Sequence, residues 1–412
     1  MHIRAFGKSD KGLRRQHNED AFLIDHDRRI YLLADGMGGH NAGDVASRMF
    51  VQIVSKDTRQ LLTHLDEQNL HPEERRRTLI RQLPTSFARA SASIHAEGLR
   101  TPASRGMGTT GVLVVPDGQG IYISHVGDSR VYLFRNDQLY QLTEDHSFVM
   151  VLFKEGRITV EEMATHPQKN LIVRSVGLKP TVEADTLYLD LFPGDRFIAC
   201  SDGLTDMVTD RELADMLTTT RGPRMVEQAV VVANQRGGVD NITLIALEVE
   251  HYGGSAPTSR PHQARFGVIE RVRFLRDIFL FANMTDHECI KINRILYQRE
   301  FTEGQTVLRQ GDQGDALFIV AQGSVGVWKG DIHLISIGPG GHFGELALIG
   351  DQHQRSADIV TETSCVLFTI QRRDLLDLID EDKVLGNKLL WAFTEHLGDR
   401  VRDLSQRLSQ TP

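Results

Sequence analysis

The chain has 412 residues, of which 40% are hydrophobic and 25% charged, with a formal net charge of -8. That length exceeds what one ordinary core fills, so two or three domains are expected. The acidic balance excludes nucleic acid as the main partner, because phosphate binding needs a basic face.

No apolar run reaches the length of a bilayer span, and the first residues lack the apolar core of a signal peptide. Cys200, Cys289 and Cys365 are widely spaced and odd in number, which suits a reducing compartment better than a disulfide framework or a zinc site. The expectation is a cytoplasmic protein with no membrane partner. In chain order, strands are predicted at 29–34, 111–115, 121–125, 131–134, 196–200 and 242–249 from short apolar runs. Val45, Ala46, Met49, Phe50, Ile53 and Val54 recur at helical spacing, and a second helix is predicted over 73–98. Few helices beside many antiparallel strands predict an α+β sandwich.

Composition changes after residue 250. Gly253, Gly254, Ser255, Pro257, Ser259 and Pro261 crowd a stretch without apolar periodicity, which reads as a linker over 251–266. It separates a domain at 1–250 from one at 267–412. The second opens with a helix-rich stretch, 268–298. Evenly spaced short strands with Gly-rich turns follow over 306–370, as in a jelly roll or β-barrel, and a long helical pattern closes it over 372–408.

Three aspartates stand at strand ends in the first domain. The run Tyr31–Ala34 leads into Asp35-Gly36, the run Phe197–Cys200 into Ser201-Asp202-Gly203, and Asp240-Asn241 opens the run Ile242–Ile245. If their strands are neighbours in one sheet, the carboxylates meet at one edge and form a hard oxygen site for Mg²⁺ or Mn²⁺. The Gly36 carbonyl is a further candidate ligand, since glycine lets the backbone approach closely. Taken singly, each Asp-Gly is more often a plain turn.

Eight ordered stretches change that balance: Ser9–Asp20 with Arg15 and Asp20, Asp35–Gly39, Gly108–Thr110, Val126–Arg130, Leu142–His146, His166–Asn170, Ser201–Asp206 and Asp240–Thr243. Together they resemble the metal-dependent Ser/Thr protein phosphatases, the PPM or type-2C family, in its bacterial branch. The resemblance implies an αββα sandwich that hydrolyses phosphoserine and phosphothreonine in protein substrates by attack of a metal-bridging hydroxide. It implies that Asp35 bridges two metals, with the Gly36 carbonyl on one and Asp202 and Asp240 on the other. Asp20 would hold metal-bound water, Asp128 would serve a third ion with Asp202, and Arg15 would grip the phosphate. Residues 146–177 would form a mobile flap. In some eukaryotic members a histidine follows the Asp-Gly pair, where this chain has Met37. Leaving-group protonation therefore falls to another residue or to water, and His40 reads as structural.

In the second domain, Gly311–Phe318 and the stretch Phe343–Ala357, flanked by alternating strands, resemble the cyclic-nucleotide-binding domain of kinase regulatory subunits and catabolite activator protein. The resemblance implies that Glu345 binds the ribose 2′-hydroxyl. Gly344, Arg355, Ser356 and the backbone of Leu346 and Ala347 would hold the cyclic phosphate, with cAMP the favoured ligand. Gln354 replaces a proline frequent before that arginine. Leu390, Phe393, Leu397, Val401, Leu404 and Leu408 step by three and four, so a dimer helix and a lid packed on the barrel both remain open. Trp391 reads equally as a purine platform and as core. The expected function is a phosphoprotein phosphatase under cyclic-nucleotide control. The alternatives are an orphan second domain used for assembly or localisation, and a non-catalytic phosphoprotein adaptor. The intact set of acidic residues argues against the adaptor.

Overall fold

The structure is a computed structural model and describes residues 2–38, 42–250, 268–278, 280–345 and 354–409. The chain divides into two compact units, Met1–Ser255 and Ala256–Pro412. The predicted linker lies outside the described residues.

The first unit begins with β1 (His2–Asp10), β2 (Ala21–Asp25), β3 (Ile30–Ala34) and β4 (Gly36–Met37). Two long helices follow, α1 (Gly43–Gln68) and α2 (Pro72–Arg100). Then come β5 (Gly108–Thr109), β6 (Gly111–Asp117), β7 (Gly120–Val126), β8 (Arg130–Arg135) and β9 (Gln138–Gln141). After α3 (Phe148–Lys154) and α4 (Val160–Thr165) stand β10 (Asp185–Asp190) and β11 (Arg196–Cys200). The unit closes with α5 (Asp202–Thr205), α6 (Asp210–Thr219), α7 (Gly222–Gln235) and β12 (Ile242–Glu250).

The strands form two five-stranded antiparallel sheets, ordered β1-β12-β11-β8-β9 and β10-β7-β6-β3-β2. Period-two alternation in each strand sends one set of apolar residues outward and one set inward. From the second sheet Ile30, Leu32, Leu113 and Tyr122 pack under Phe50, Val54, Leu79 and Phe87 of α1 and α2. From the first, Tyr132, Ile198, Leu244 and Ala246 pack under Leu213, Met216, Val226 and Ala229 of α6 and α7. The alternate residues Tyr31, Leu33, Val112, Val114, Phe197, Ala199, Ile245 and Leu247 are buried as well, which fills the space between the sheets. The result is helix, sheet, sheet, helix, the expected αββα sandwich.

Local signals account for the helix ends. Pro72 stands at the start of α2 with Glu73 and Glu74 in its first turn, where the free N–H groups favour acids. Thr209 and Glu212 form a reciprocal capping box on α6. Helices α6 and α7 were not among the predicted elements, so the count of helices was set too low.

One expectation is corrected. Asp35 follows β3, whereas Asp202 and Asp240 flank β11 and β12, and these strands lie in different sheets. The three aspartates meet at a shared end of the two layers, not along one sheet edge. Adjacent β1 and β12 pair over their full lengths, from His2↔Glu250 to Asp10↔Ile242, which fixes the N-terminal loop beside Asp240.

The second unit contains α8 (Val268–Arg276), α9 (Asp286–Asn293), β13 (Leu296–Phe301), β14 (Thr306–Leu308), β15 (Ala316–Gln322), β16 (Val325–Lys329) and β17 (Ile332–Ile337). It ends with β18 (His342–Phe343), β19 (Asp358–Thr361), β20 (Cys365–Gln371), α10 (Arg372–Glu381) and α11 (Lys383–Ser409). Two four-stranded antiparallel sheets, β13-β20-β15-β18 and β14-β19-β16-β17, enclose Phe318, Val320, Val325, Phe343, Ile359 and Leu367. These antiparallel sheets are those of a jelly roll. The single predicted helix over 372–408 is two helices, because Asp382 adopts an extended backbone between them. Trp391 is 68% exposed and donates its indole N–H to Glu395, so it is not core. The side chains of Leu397, Val401, Leu404 and Leu408 lie outside the described residues.

Candidate functional site

At the end of the sandwich the chain crosses between layers through tight backbone contacts. A Cβ on Gly36 would lie 2.1 Å from the Gly43 carbonyl oxygen, and one on Gly203 would lie 2.0 Å from that of Asn241. Only glycine permits these approaches, and both hold an adjacent aspartate in the same cleft. The Asp35 N–H donates to Thr110 Oγ1 at 2.9 Å, while its carbonyl accepts from the Thr110 N–H and the Thr109 hydroxyl, each at 2.8 Å. Thr110 in turn shares a 2.7 Å hydrogen bond with Ser129, the neighbour of Asp128.

Asn241 ties the remaining parts together. Its amide donates to the Lys11 and His17 carbonyls at 2.9 and 3.0 Å, and its side-chain oxygen accepts from the Glu19 N–H at 2.8 Å. The Glu19 carbonyl receives the Gly36 N–H at 3.2 Å. Arg15 and Asp20 are thereby brought to the cleft from the N-terminal loop. Arg15 Nη2 donates to Asp240 Oδ2 at 2.6 Å, and Ser201 Oγ donates to Asp20 Oδ2 at 3.0 Å.

The structure therefore brings Arg15, Asp20, Asp35, Gly36, Asp128, Asp202 and Asp240 to one place. Their electrostatics are costly. Burial pushes the Asp35 carboxyl well up from its ordinary range, and repulsion from Asp20, Asp202 and Asp128 adds to it. Burial likewise raises Asp20, Asp128 and Asp202, with neighbouring aspartates in each case contributing. Asp20 Oδ1, Asp128 Oδ1 and Asp202 Oδ1 are inaccessible to solvent and have no hydrogen-bond partner among the described residues. Orphaned acceptors and mutual repulsion are what divalent cations would relieve, so the residues fit a hard-metal site. The residues that sequence reasoning gave no role are Asn241, Glu19, Thr110 and Ser201. Their polar side chains within the matched stretches were the available signal. His40 lies outside the described residues.

In the second unit the segment between β18 and β19 places a buried cation, Arg355. Arg355 is 8% exposed, and its Nη1 and Nη2 donate to the carbonyls of Gly344 (3.5 Å) and Ala316 (3.1 Å). Arg355 Nε has no partner among the described residues. Burial lowers its affinity for a proton, and Asp315 and Glu345 offset only part of that. A Cβ on Gly314 would lie 2.2 Å from Arg355 Nε, so this glycine leaves the room the guanidinium fills. Glu345 is buried and Gly344 adopts φ +81°, while Ser356 is exposed. Leu346 and Ala347 lie outside the described residues.

The model of the protein phosphatase 2C family matches residues 11–234, and that of the cyclic nucleotide-binding domain matches 298–382. The serine/threonine phosphatase stp of Listeria welshimeri is 37% identical over 248 residues, which is 58% of this chain and 94% of that protein. Protein phosphatase PhpP of Streptococcus pneumoniae is 39% identical over 248 residues, 58% of this chain and 95% of its own. Among solved structures, the Mycobacterium tuberculosis serine/threonine phosphatase PstP aligns with a TM-score of 0.53 and 35% identity, covering 60% of this chain and 99% of that one. The PstP catalytic domain in complex with two manganese ions aligns with a TM-score of 0.51 and 34% identity, covering 60% and 99%.

Proposed function

The chain belongs to the protein phosphatase 2C family and is a Ser/Thr protein phosphatase with a C-terminal cyclic nucleotide-binding domain, and from that premise we propose how its residues divide the work. Asp35, the Gly36 carbonyl, Asp202 and Asp240 would hold two Mg²⁺ or Mn²⁺ ions, Asp128 with Asp202 would hold a third, and Asp20 would order water beside them. The observation that carries this reading is the convergence of these aspartates with the Oδ1 atoms of Asp20, Asp128 and Asp202 left unpartnered. Such cations supply Lewis acidity toward phosphoryl oxygens and lower the pKa of water.

The protein's own groups orient the substrate. The guanidinium of Arg15 has the fork geometry for two phosphoryl oxygens, and it reaches the cleft from a half-exposed position beside Asp240. Asp20, fixed by Ser201, accepts a proton-bearing partner in a constant orientation. Glu19 and Asn241 keep the loop carrying Arg15 against β12, so that the phosphoryl group meets the cleft in one pose. Met37 supplies no proton, so leaving-group protonation falls to another residue or to water.

The second unit binds a cyclic nucleotide, with cAMP favoured, through Gly344, Glu345, Leu346, Ala347, Arg355 and Ser356. A buried guanidinium whose donated bonds, among the described residues, go to the Gly344 and Ala316 carbonyls supports an anionic ligand there. A coupling of about 1–3 kcal/mol between nucleotide and phosphatase activity would change turnover by about 5- to 150-fold. The three buried, unbridged cysteines support a reducing, cytoplasmic setting. The test is Mn²⁺-dependent phosphate release from a phosphothreonine peptide, with Mn²⁺ binding measured alongside. Asp202→Ala should lose both, and wild-type turnover in that variant would sink the ligand assignment.

A further inference from the structure

Outside the carboxylate cluster, His125, His146 and Asp185 place potential ligand atoms within 4.8 Å of one another. These are residue types of a metal site. Arg174 argues against an ion there. Its Nη1 lies 2.7 Å from Asp185 Oδ1 and 3.3 Å from His146 Nε2, so a guanidinium already stands where a cation would.

We infer that His146 is a positioning residue for the phosphatase reaction, clamping the Gly127–Asp128 turn and both limbs of the 146–177 segment to a single point. The inference rests on the reading of Asp128 as a metal ligand.

The clamp is reciprocal. The His146 N–H donates to the Gly127 carbonyl at 2.9 Å, and the Gly127 N–H donates to His146 Nδ1 at 3.1 Å. On its other side the turn abuts Thr110. Gly127 adopts φ +102°, and a Cβ there would come within 2.6 Å of Thr110 Cγ2. Thr110 also holds the Asp35 backbone, so this turn joins two acidic positions of the cleft. The returning limb closes on the same residue, because the Val173 N–H donates to the His146 carbonyl at 2.8 Å. One residue further, Arg174 reaches Asp185, which lies opposite His125 in the β10–β7 register.

The tautomer follows from these partners. Nδ1 accepts from a backbone N–H and is therefore bare, so the ring proton is on Nε2, facing Asp185 Oδ2 at 3.6 Å. The Arg174 Nη1 contact at 3.3 Å then sets donor beside donor rather than forming a hydrogen bond. The ring stacks on His125, with centroids 4.8 Å apart and planes 24° apart. Burial holds the His146 pKa down at about 4, which keeps the ring neutral and Nδ1 an acceptor. Losing that acceptor should loosen the Asp128 turn and the flap together, while the sandwich core stays packed.

His146→Asn and His146→Gln separate this from a packing role. The Asn side-chain oxygen stands near the place of Nδ1, whereas the Gln amide stands near Nε2. In the full-length, metal-free chain, His146→Gln should speed hydrogen exchange in segments 124–130 and 146–177 and leave α1, α2 and β12 unchanged. With Mn²⁺ it should lower kcat/KM on a phosphothreonine peptide by about 10- to 100-fold, the usual cost of losing a positioning contact. His146→Asn should restore both to within a few-fold of wild type. Equal behaviour of the two variants, or faster exchange across the whole first unit, would overturn the inference. Asp128→Asn beside them tests the reading beneath: unchanged turnover there removes Asp128 from the metal site, and the exchange data still decide whether the clamp exists.

Discussion

The two units carry buried charges of opposite sign that their own side chains do not neutralise. At the end of the sandwich, aspartates from two sheets and a loop raise one another's pKa and leave three oxygens unpartnered. In the second unit the buried Arg355 donates to two carbonyls and keeps an Nε–H with no partner among the described residues. Leaving such groups unmatched costs stability, and a fold retains them where a ligand of the opposite charge completes the site. The contrast supports the ligands proposed for each unit: cations in the first, an anion in the second.

The sharpest way to break the first half of that comparison is Asp202→Ala. Removing a carboxylate that serves two candidate ions should slow phosphate release by about 1,000-fold, measured at saturating Mn²⁺. A loss below about tenfold would remove Asp202 from the chemistry. Arg15→Lys probes the guanidinium that pairs with Asp240. It keeps charge but loses the fork, and kcat/KM on a phosphothreonine peptide should drop by about 100-fold.

Arg355→Ala addresses the other pole. Wild-type protein at about 100 times Kd of cAMP should gain about 2.7 kcal/mol in the unit that binds it, and the variant should gain none. A thermal melt with and without nucleotide reads this, and equal shifts in both proteins would move the phosphate contact elsewhere.

The smallest effect comes from pH. Burial and mutual repulsion push Asp20 up to about 7 and Asp128 up to about 8. Without cations the folded chain therefore holds more protons than the unfolded one from about pH 4 upward. Its stability should fall as pH rises through that window, read as a falling Tm, and Mn²⁺ should abolish the fall. A metal-free protein that grows more stable between pH 5 and 8 would contradict the repulsion.

Much of this was legible beforehand. Runs such as Tyr31–Ala34 and Phe197–Cys200 read as strands because apolar residues crowd short segments, and Asp35, Asp202 and Asp240 stood out at their ends. Their distribution over two sheets was not legible, since β3 pairs with β6 and β11 with β12 through contacts distant in sequence. Helices α6 and α7 were missed, although Thr209 with Glu212 and the Gly222-Pro223 start mark their beginnings. The break at Asp382 escaped because Leu378 and Leu385 stand seven residues apart, two helical turns, on either side of the charged run 380–383. The Asn241 bonds to Lys11, His17 and Glu19 span more than two hundred residues, and no local pattern announces them. In the second unit Arg355 was readable as an anion contact, but its carbonyl partners depend on how the loops fold.

The central proposal is that a cyclic nucleotide bound in the second unit changes the phosphatase rate of the first. Phosphate release from a phosphothreonine peptide, followed with Mn²⁺ present while cAMP is titrated in, tests it most directly. The account predicts a saturable change in rate that Arg355→Ala abolishes without altering turnover in the absence of nucleotide. Metal-dependent turnover that stays flat across the titration would contradict it.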